Sequence, residues 1–390
     1  MTIADGGAVN SLSVSLNDTA TVTGAGSQLN SGTAWIYVGI TKPSTLTIQN
    51  GGVVNSGGAD CGQTVSCNIL VTGAGSQWNS PFVIRSSGNL SISNGGAVNS
   101  PTLAGFTSGD GAIAVDGAGS QLNVAGGLRI GSKTGPGTLT IWGGGAVTSG
   151  AVDVGLYVNG KGNVKVIDAG SQWNSSSATV GAPYGSTGNV LIDGARWNNA
   201  GSLLIGYGTT GTGVVTVRNN GHLASGPTII GRTGSLIIDP AVVELFGNFT
   251  LQTGGLLSLD IAGVTPDLIS RVNISGFGLF QGTIRFDFVD GFAPRIGQSF
   301  DLFSILGGAD FSGASFQIAG LKPGFQYVDT FTNGIFRLTA LNDGVSDSPV
   351  PEPSFSWILA GLGLLIALHS LGTLQKGERK NVRRSSRDSC

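Results

Sequence analysis

The sequence predicts an all-β protein: a right-handed parallel β-helix with a C-terminal β cap, followed by a single transmembrane helix. Three observations predict it. A seven-residue phrase is written four times, as "GAGSQLN" at 24–30 and 117–123, "GAGSQWN" at 73–79 and "DAGSQWN" at 168–174. Glycine reaches 67 of 390 residues with no collagen-like period, and Val, Ile, Thr, Ser and Asn supply strand-and-turn chemistry. Charged residues make up 11% against 40% apolar, the reverse of a disordered chain. Lysine is scarce and glutamate occurs only as Glu244, Glu352 and Glu378, which disfavours amphipathic helices.

The repeats occupy residues 1–235. A second phrase alternates with the first: "TIADGGAVNS" (2–11), "TIQNGGVVNS" (47–56), "SISNGGAVNS" (91–100), "TIWGGGAVTS" (140–149) and "TVRNNGHLAS" (216–225). Both phrases place a β-type run before a Gly-rich corner, then an apolar residue, then usually Asn. Aligning the apolar residue before each corner gives Ile3, Val22, Ile48, Val71, Ile92, Val115, Ile141, Ile167, Ile192 and Val217, with spacings of 19 to 26 residues. A period in that range fits one solenoid coil of about three short strands. Ten coils at about 4.8 Å each would make a body roughly 48 Å long. The apolar–Asn pairs are expected to form a structural ladder, with Asn at left-handed turn positions and its amide bonded to the next coil. Trp78, Trp173 and Trp197 replace Leu and Val in those pairs, so they are expected in the core and not on a sugar-gripping surface.

Cys61 and Cys67 lie in one insertion, "GGADCGQTVSCNI", and a short loop disulfide is expected there in an oxidising compartment. No histidine lies nearby, so no zinc site is expected. Residues 236–342 keep β alternation with longer strands and many Phe, as terminal coils and a segment covering the open end and its unpaired edges.

Residues 343–354 are a Ser/Pro/Asp linker containing Pro351-Glu352-Pro353. Residues 355–374, "FSWILAGLGLLIALHSLGTL", carry no Asp, Glu, Lys or Arg. At 1.5 Å per residue, about 20 residues span roughly 30 Å of hydrocarbon. His369 is read as incidental, with no ionisable partner near it. Residues 375–390 hold Lys376, Arg379, Lys380, Arg383, Arg384 and Arg387, which predicts a cytoplasmic tail and an external body. Cys390 ends that tail. Before residue 355 the balance is 14 basic against 20 acidic residues, and after it 6 against 2. No basic stripe crosses the body, so nucleic acid is not an expected partner.

This tripartite end resembles the PEP-CTERM protein-sorting signal: a Pro-Glu-Pro motif, a hydrophobic helix and an Arg-rich tail, in that order. The repeats resemble those shared by autotransporter passengers and PEP-CTERM proteins, through "VTGAGSQWN" and "LTIQNGGVVNS". Residues 257–342 look similar to the last passenger segment of such proteins. The resemblance implies that an exosortase recognises Pro351, Glu352 and Pro353 and processes the chain nearby. The product would leave the inner membrane of a Gram-negative bacterium for the cell surface or matrix, in association with exopolysaccharide and biofilm. Such proteins begin with a signal peptide. "TIADGGAVNS" is already mid-repeat, so a leader is expected upstream of Met1.

Enzymatic β-helices need clustered carboxylates, or Ca²⁺ with a basic residue. Here Asp116, Asp168 and Asp193 recur at equivalent corners, as turn residues do. Asp287, Asp290 and Asp301 alternate with Phe. His222, the one histidine of the body, is read at a corner, without a Ser-His-Asp set. No phosphate loop appears. The expectation is therefore a non-enzymatic surface or matrix protein with no cofactor or metal. The rivals are a carbohydrate-binding adhesin, a polysaccharide lyase or hydrolase on a β-helix, and an autotransporter passenger.

Overall fold

Three short strands, three corners and a return to the start one layer higher: that path repeats along the chain in a computed structural model. It describes residues 1–62, 65–80, 84–86 (backbone only), 88–100, 111–131 and 135–347. The result is a parallel β-solenoid with almost no helix, formed by Met1–Ser346 as one compact unit. The first face is a single sheet of fourteen strands from Thr2–Ile3 to Ser315–Ala319, every neighbour parallel. A second face stacks from Ala8–Asn10 to Ser299–Ile305. The third carries Val14–Leu16 to Ile84–Ser86, then resumes at Leu128–Ile130. Ala146–Val154 and Gln172–Val180 run round the corner unbroken and belong to both the second and third faces.

The alternating apolar pattern sends every second side chain inward. On the first face Ile3, Val22, Ile48, Val71, Ile92, Val115 and Ile141 form one buried column. The next member is Val166, not Ile167: Ile141 pairs with Val166, which pairs with Ile192. Ile167 points outward beside Asp193. Each coil must place its column residue at the same depth, and Val166 is fully buried. On the second face Leu29, Val54, Trp78, Val98, Leu122, Val147, Trp173 and Trp197 occupy equivalent inward positions. All three tryptophans are fully buried, and Trp173 stacks on Trp197 at 4.5 Å. Each indole N–H donates to the inward serine one coil earlier: Trp78 to Ser56 (3.0 Å), Trp173 to Ser149 (3.3 Å) and Trp197 to Ser175 (2.9 Å). A buried indole therefore has its one donor satisfied.

The asparagine ladder runs along the outside of the second face. Asn30 donates to Asn10, Asn55 to Asn30, Asn79 to Asn55, Asn99 to Asn79 and Asn123 to Asn99, at 2.8–3.1 Å. Thr148 interrupts it, and Asn198 to Asn174 resumes it at 2.9 Å. These residues sit in extended strands, so the expected left-handed turn is wrong for them. Left-handed Asn occurs instead in the corners, at Asn50, Asn94, Asn219 and Asn220.

The two alternating phrases differ because they clasp each other. The serine of each "AGS" corner is buried and accepts the N–H of the middle "GG" corner one coil earlier. Gly6 donates to Ser27, Gly51 to Ser76, Gly95 to Ser120 and Gly144 to Ser171, at 3.0–3.1 Å. Ser76 and Ser120 donate onward to the carbonyls of Thr72 and Asp116. The following Gly52 has no room for a side chain, since a Cβ there would meet the Val22 carbonyl oxygen at 2.5 Å. The structural repeat is thus two coils.

Beyond residue 235 the parallel coils continue, with rings in the core. Phe280 stacks on Phe311 at 4.3 Å and Phe336 lies 5.0 Å from Phe311. The stack ends on a hairpin, Tyr327–Thr332 with Ile335–Ala340, whose second strand runs antiparallel to Ser299–Ile305.

Candidate functional site

Polar chemistry gathers in two places on the later coils. The first is a charged row at the outer edge of the first face. Register places Asp193 beside Arg218, Arg218 beside Asp239, and Asp260 beside Asp287. Arg218 binds Asp193 through Nε (3.0 Å) and Nη2 (2.7 Å). Burial opposes ionisation of Asp193, but hydrogen bonds from Asn219 and Arg218 outweigh it and lower its pKa. Among the described residues the Asp260 carboxylate has no such hydrogen-bond partner. Burial, then the Asp239 and Asp287 carboxylates, push it up to about 7, against a weaker pull from Arg285. Ser270 ties its strand to the insertion 262–270 by accepting the Asp260 N–H at 3.1 Å. Among the described residues no group of three or more His, Cys, Asp or Glu has metal-binding geometry.

The second place lies on the second face, where the asparagine row changes composition. Asn198, Ala224, Glu244 and Asn273 follow one another in register, and Ser304 pairs with Asn273. His222 starts a strand here and is not a corner residue; its Nε2 lies 3.2 Å from Glu244 Oε2. Backbone alternation explains the placement, since residue 222 shares the outward side with 224. Beside Glu244 a cavity of about 180 Å³ opens between the coils, lined by Asn273, Ser275 and Ser304 and rimmed by Phe246 and Leu306. Phe246 is 59% and Leu306 80% exposed, both at corner positions. Neither residue was marked by the repeats, because these coils carry neither phrase.

The remaining candidates are dispersed. Asp168 takes the left-handed backbone of a turn residue. Asp287 lies 3.4 Å from Arg285, and Asp301 is bonded to Arg337, whose Nη2 approaches at 2.9 Å and holds the carboxyl below its ordinary range. Cys61 and Cys67 are joined by a disulfide with Cα atoms 5.6 Å apart, buried at the corner between the third and first faces. Pro351, Glu352, Pro353, the apolar segment 355–374, the six basic residues from Lys376 to Arg387 and Cys390 lie outside the described residues. Among the described residues no helix is long and apolar enough to cross a membrane. No protein-family model matches the chain, and a search of curated proteins finds no relative.

Proposed function

We propose that this chain is an exported, non-enzymatic structural component of a Gram-negative cell surface or extracellular matrix. The observation that carries the proposal is the use of polar side chains along the solenoid: amides, serines and indoles are spent on coil-to-coil bonds. Such a body extends by repetition, and its side chains serve the stack itself. The buried Cys61–Cys67 disulfide suits an oxidising compartment and supports export. In this proposal the solenoid is right-handed and the terminal hairpin caps it. Residues 355–374 span the inner membrane in the precursor, and the basic tail stays in the cytoplasm. An exosortase then processes the chain near Pro351-Glu352-Pro353, and the body joins an exopolysaccharide-rich matrix.

The test is intact mass and location in the native host, for wild type and a variant with Pro351, Glu352 and Pro353 all changed to Ala. Wild type should lose the segment after the motif and appear outside the cell, while the variant stays in the inner membrane. If both retain the tail and stay in the membrane, the sorting proposal fails. Carbohydrate binding is the second reading, favoured by the cavity beside Glu244.

A further inference from the structure

The cavity between Glu244, Asn273 and Ser304 differs from the rest of its face in what its polar groups do. In most earlier coils the same outward position holds Asn, and from Asn10 to Asn123 and from Asn174 to Asn198 neighbouring amides bond to one another. Here the ladder has ended. Among the described residues the Asn273 amide and the Ser304 hydroxyl have no hydrogen-bond partner, and Glu244 meets only His222. A carboxylate, an amide and a hydroxyl therefore stand on three successive coils, about 4.8 Å apart along the stack.

Three features narrow what could fill the cavity. No Lys or Arg lines it, so a phosphorylated or acidic ligand would meet Glu244 uncompensated. The flanking strands are already paired on both sides: Val242–Leu245 lies between His222–Ser225 and Arg271–Ile274. An extended peptide thus has no free strand edge to join. The rim supplies an exposed aromatic face at Phe246 and an exposed aliphatic side chain at Leu306. Apolar walls with a few convergent polar groups are the general make-up of a small-molecule site. At about 180 Å³ the cavity is smaller than the ~300 Å³ of a drug-sized pocket.

We infer that this cavity is a binding subsite for one neutral pyranose unit of a glycan. The C–H face of the ring lies on Phe246, and its hydroxyls bond to Glu244, Asn273 and Ser304. A hydroxyl both donates and accepts, so it matches a carboxylate, an amide and a hydroxyl alike. Glu244 is held in place by His222. The inference stands apart from the sorting proposal, since a chain that kept its tail would carry the same cavity.

The test is a titration of the whole 390-residue chain, kept in a sugar-free detergent, with cellotetraose, xylotetraose, laminaritetraose and chitotetraose. Saturation-transfer NMR and calorimetry report binding. At least one sugar should bind saturably, and Asn273→Ala and Phe246→Ala should each weaken it ~10-fold, about 1.4 kcal/mol. Val158→Ala, at an exposed corner position elsewhere, should leave binding unchanged. Circular dichroism and melting curves confirm that the variants fold, which exposed positions permit. Absence of saturable binding by all four sugars would overturn the inference. So would binding that both cavity variants retain, or displacement of the sugar by unstructured peptides.

Discussion

The smallest unit of this architecture is a serine hydroxyl, and its position is worth more than its chemistry suggests. Ser120 is fully buried, accepts the Gly95 N–H at 3.1 Å and donates to the Asp116 carbonyl at 2.6 Å. Ser120→Ala strands a backbone donor at a packed corner and should cost about 1–3 kcal/mol in urea unfolding. Ser13→Ala, at an exposed position, should cost nothing measurable. Asp260 makes the second residue-scale prediction. Its folded pKa of about 7 lies above the unfolded value of 3.8. The folded state therefore binds the extra proton, and its stabilising contribution is complete below pH 3.8 and lost as pH rises to about 7. Asp260→Asn should be more stable than wild type at pH 8, by at most about 4 kcal/mol, with the difference vanishing near pH 4. Denaturant midpoints across that range measure it; an equal offset at both ends would contradict the assignment.

Strands and corners show how far the sequence could be read. The inward tryptophans were legible because Trp78, Trp173 and Trp197 share a slot with Leu29 and Val54. Alternation also gave the asparagine row, but not its backbone. Asn is common both in left-handed corners and on outward strand positions, and only coil-to-coil register separates Asn94 from Asn99. The slip from Val166 to Ile167 has a similar origin. "VKVIDAGSQ" offers two adjacent β-branched residues before the corner, and the inward one is decided by burial. The cavity was not legible at all. Glu244, Asn273 and Ser304 lie in coils of unequal length, so no period links them. At the same scale, Cys61 and Cys67 close a loop with a separation of 6 residues. A short loop of that kind contributes about 2 kcal/mol in the chain-entropy account, so reduction should lower stability by that amount. A double Cys61→Ala, Cys67→Ala variant should lose at least as much, since both positions are buried, and show no further response to reductant.

For the molecule as a whole, the two-coil repeat predicts how it tolerates change in length. The middle glycines of successive "GG" corners, Gly51 and Gly95, are 44 residues apart, with one "AGS" corner between them. Duplicating a two-coil segment, residues 47–90, keeps every "AGS" serine above a "GG" corner. Duplicating one coil, residues 47–70, sets two "GG" corners together and leaves the first of them without a serine to accept its N–H. The longer insertion should therefore melt close to wild type and the shorter one several degrees lower, by roughly 4 °C or less per lost kcal/mol in a chain of this size. Calorimetry on both would decide it. Equal melting temperatures would mean that the clasps are incidental.

The ladders also fix how such a body answers a pull. Backbone bonds and Asn–Asn bonds both point from one coil to the next, along the stacking direction. Tension between the two ends stretches these bonds in series, so the weakest seam opens while the rest stay shut. Each coil then peels away alone, and the spacings from Ile141 to Val166 to Ile192 mean that 25 or 26 residues pay out for each of those coils. Force spectroscopy would record a train of small ruptures, each one coil long. A surface layer made of such units would yield in increments, lengthening under shear while most of its coils stayed folded and ready to rewind.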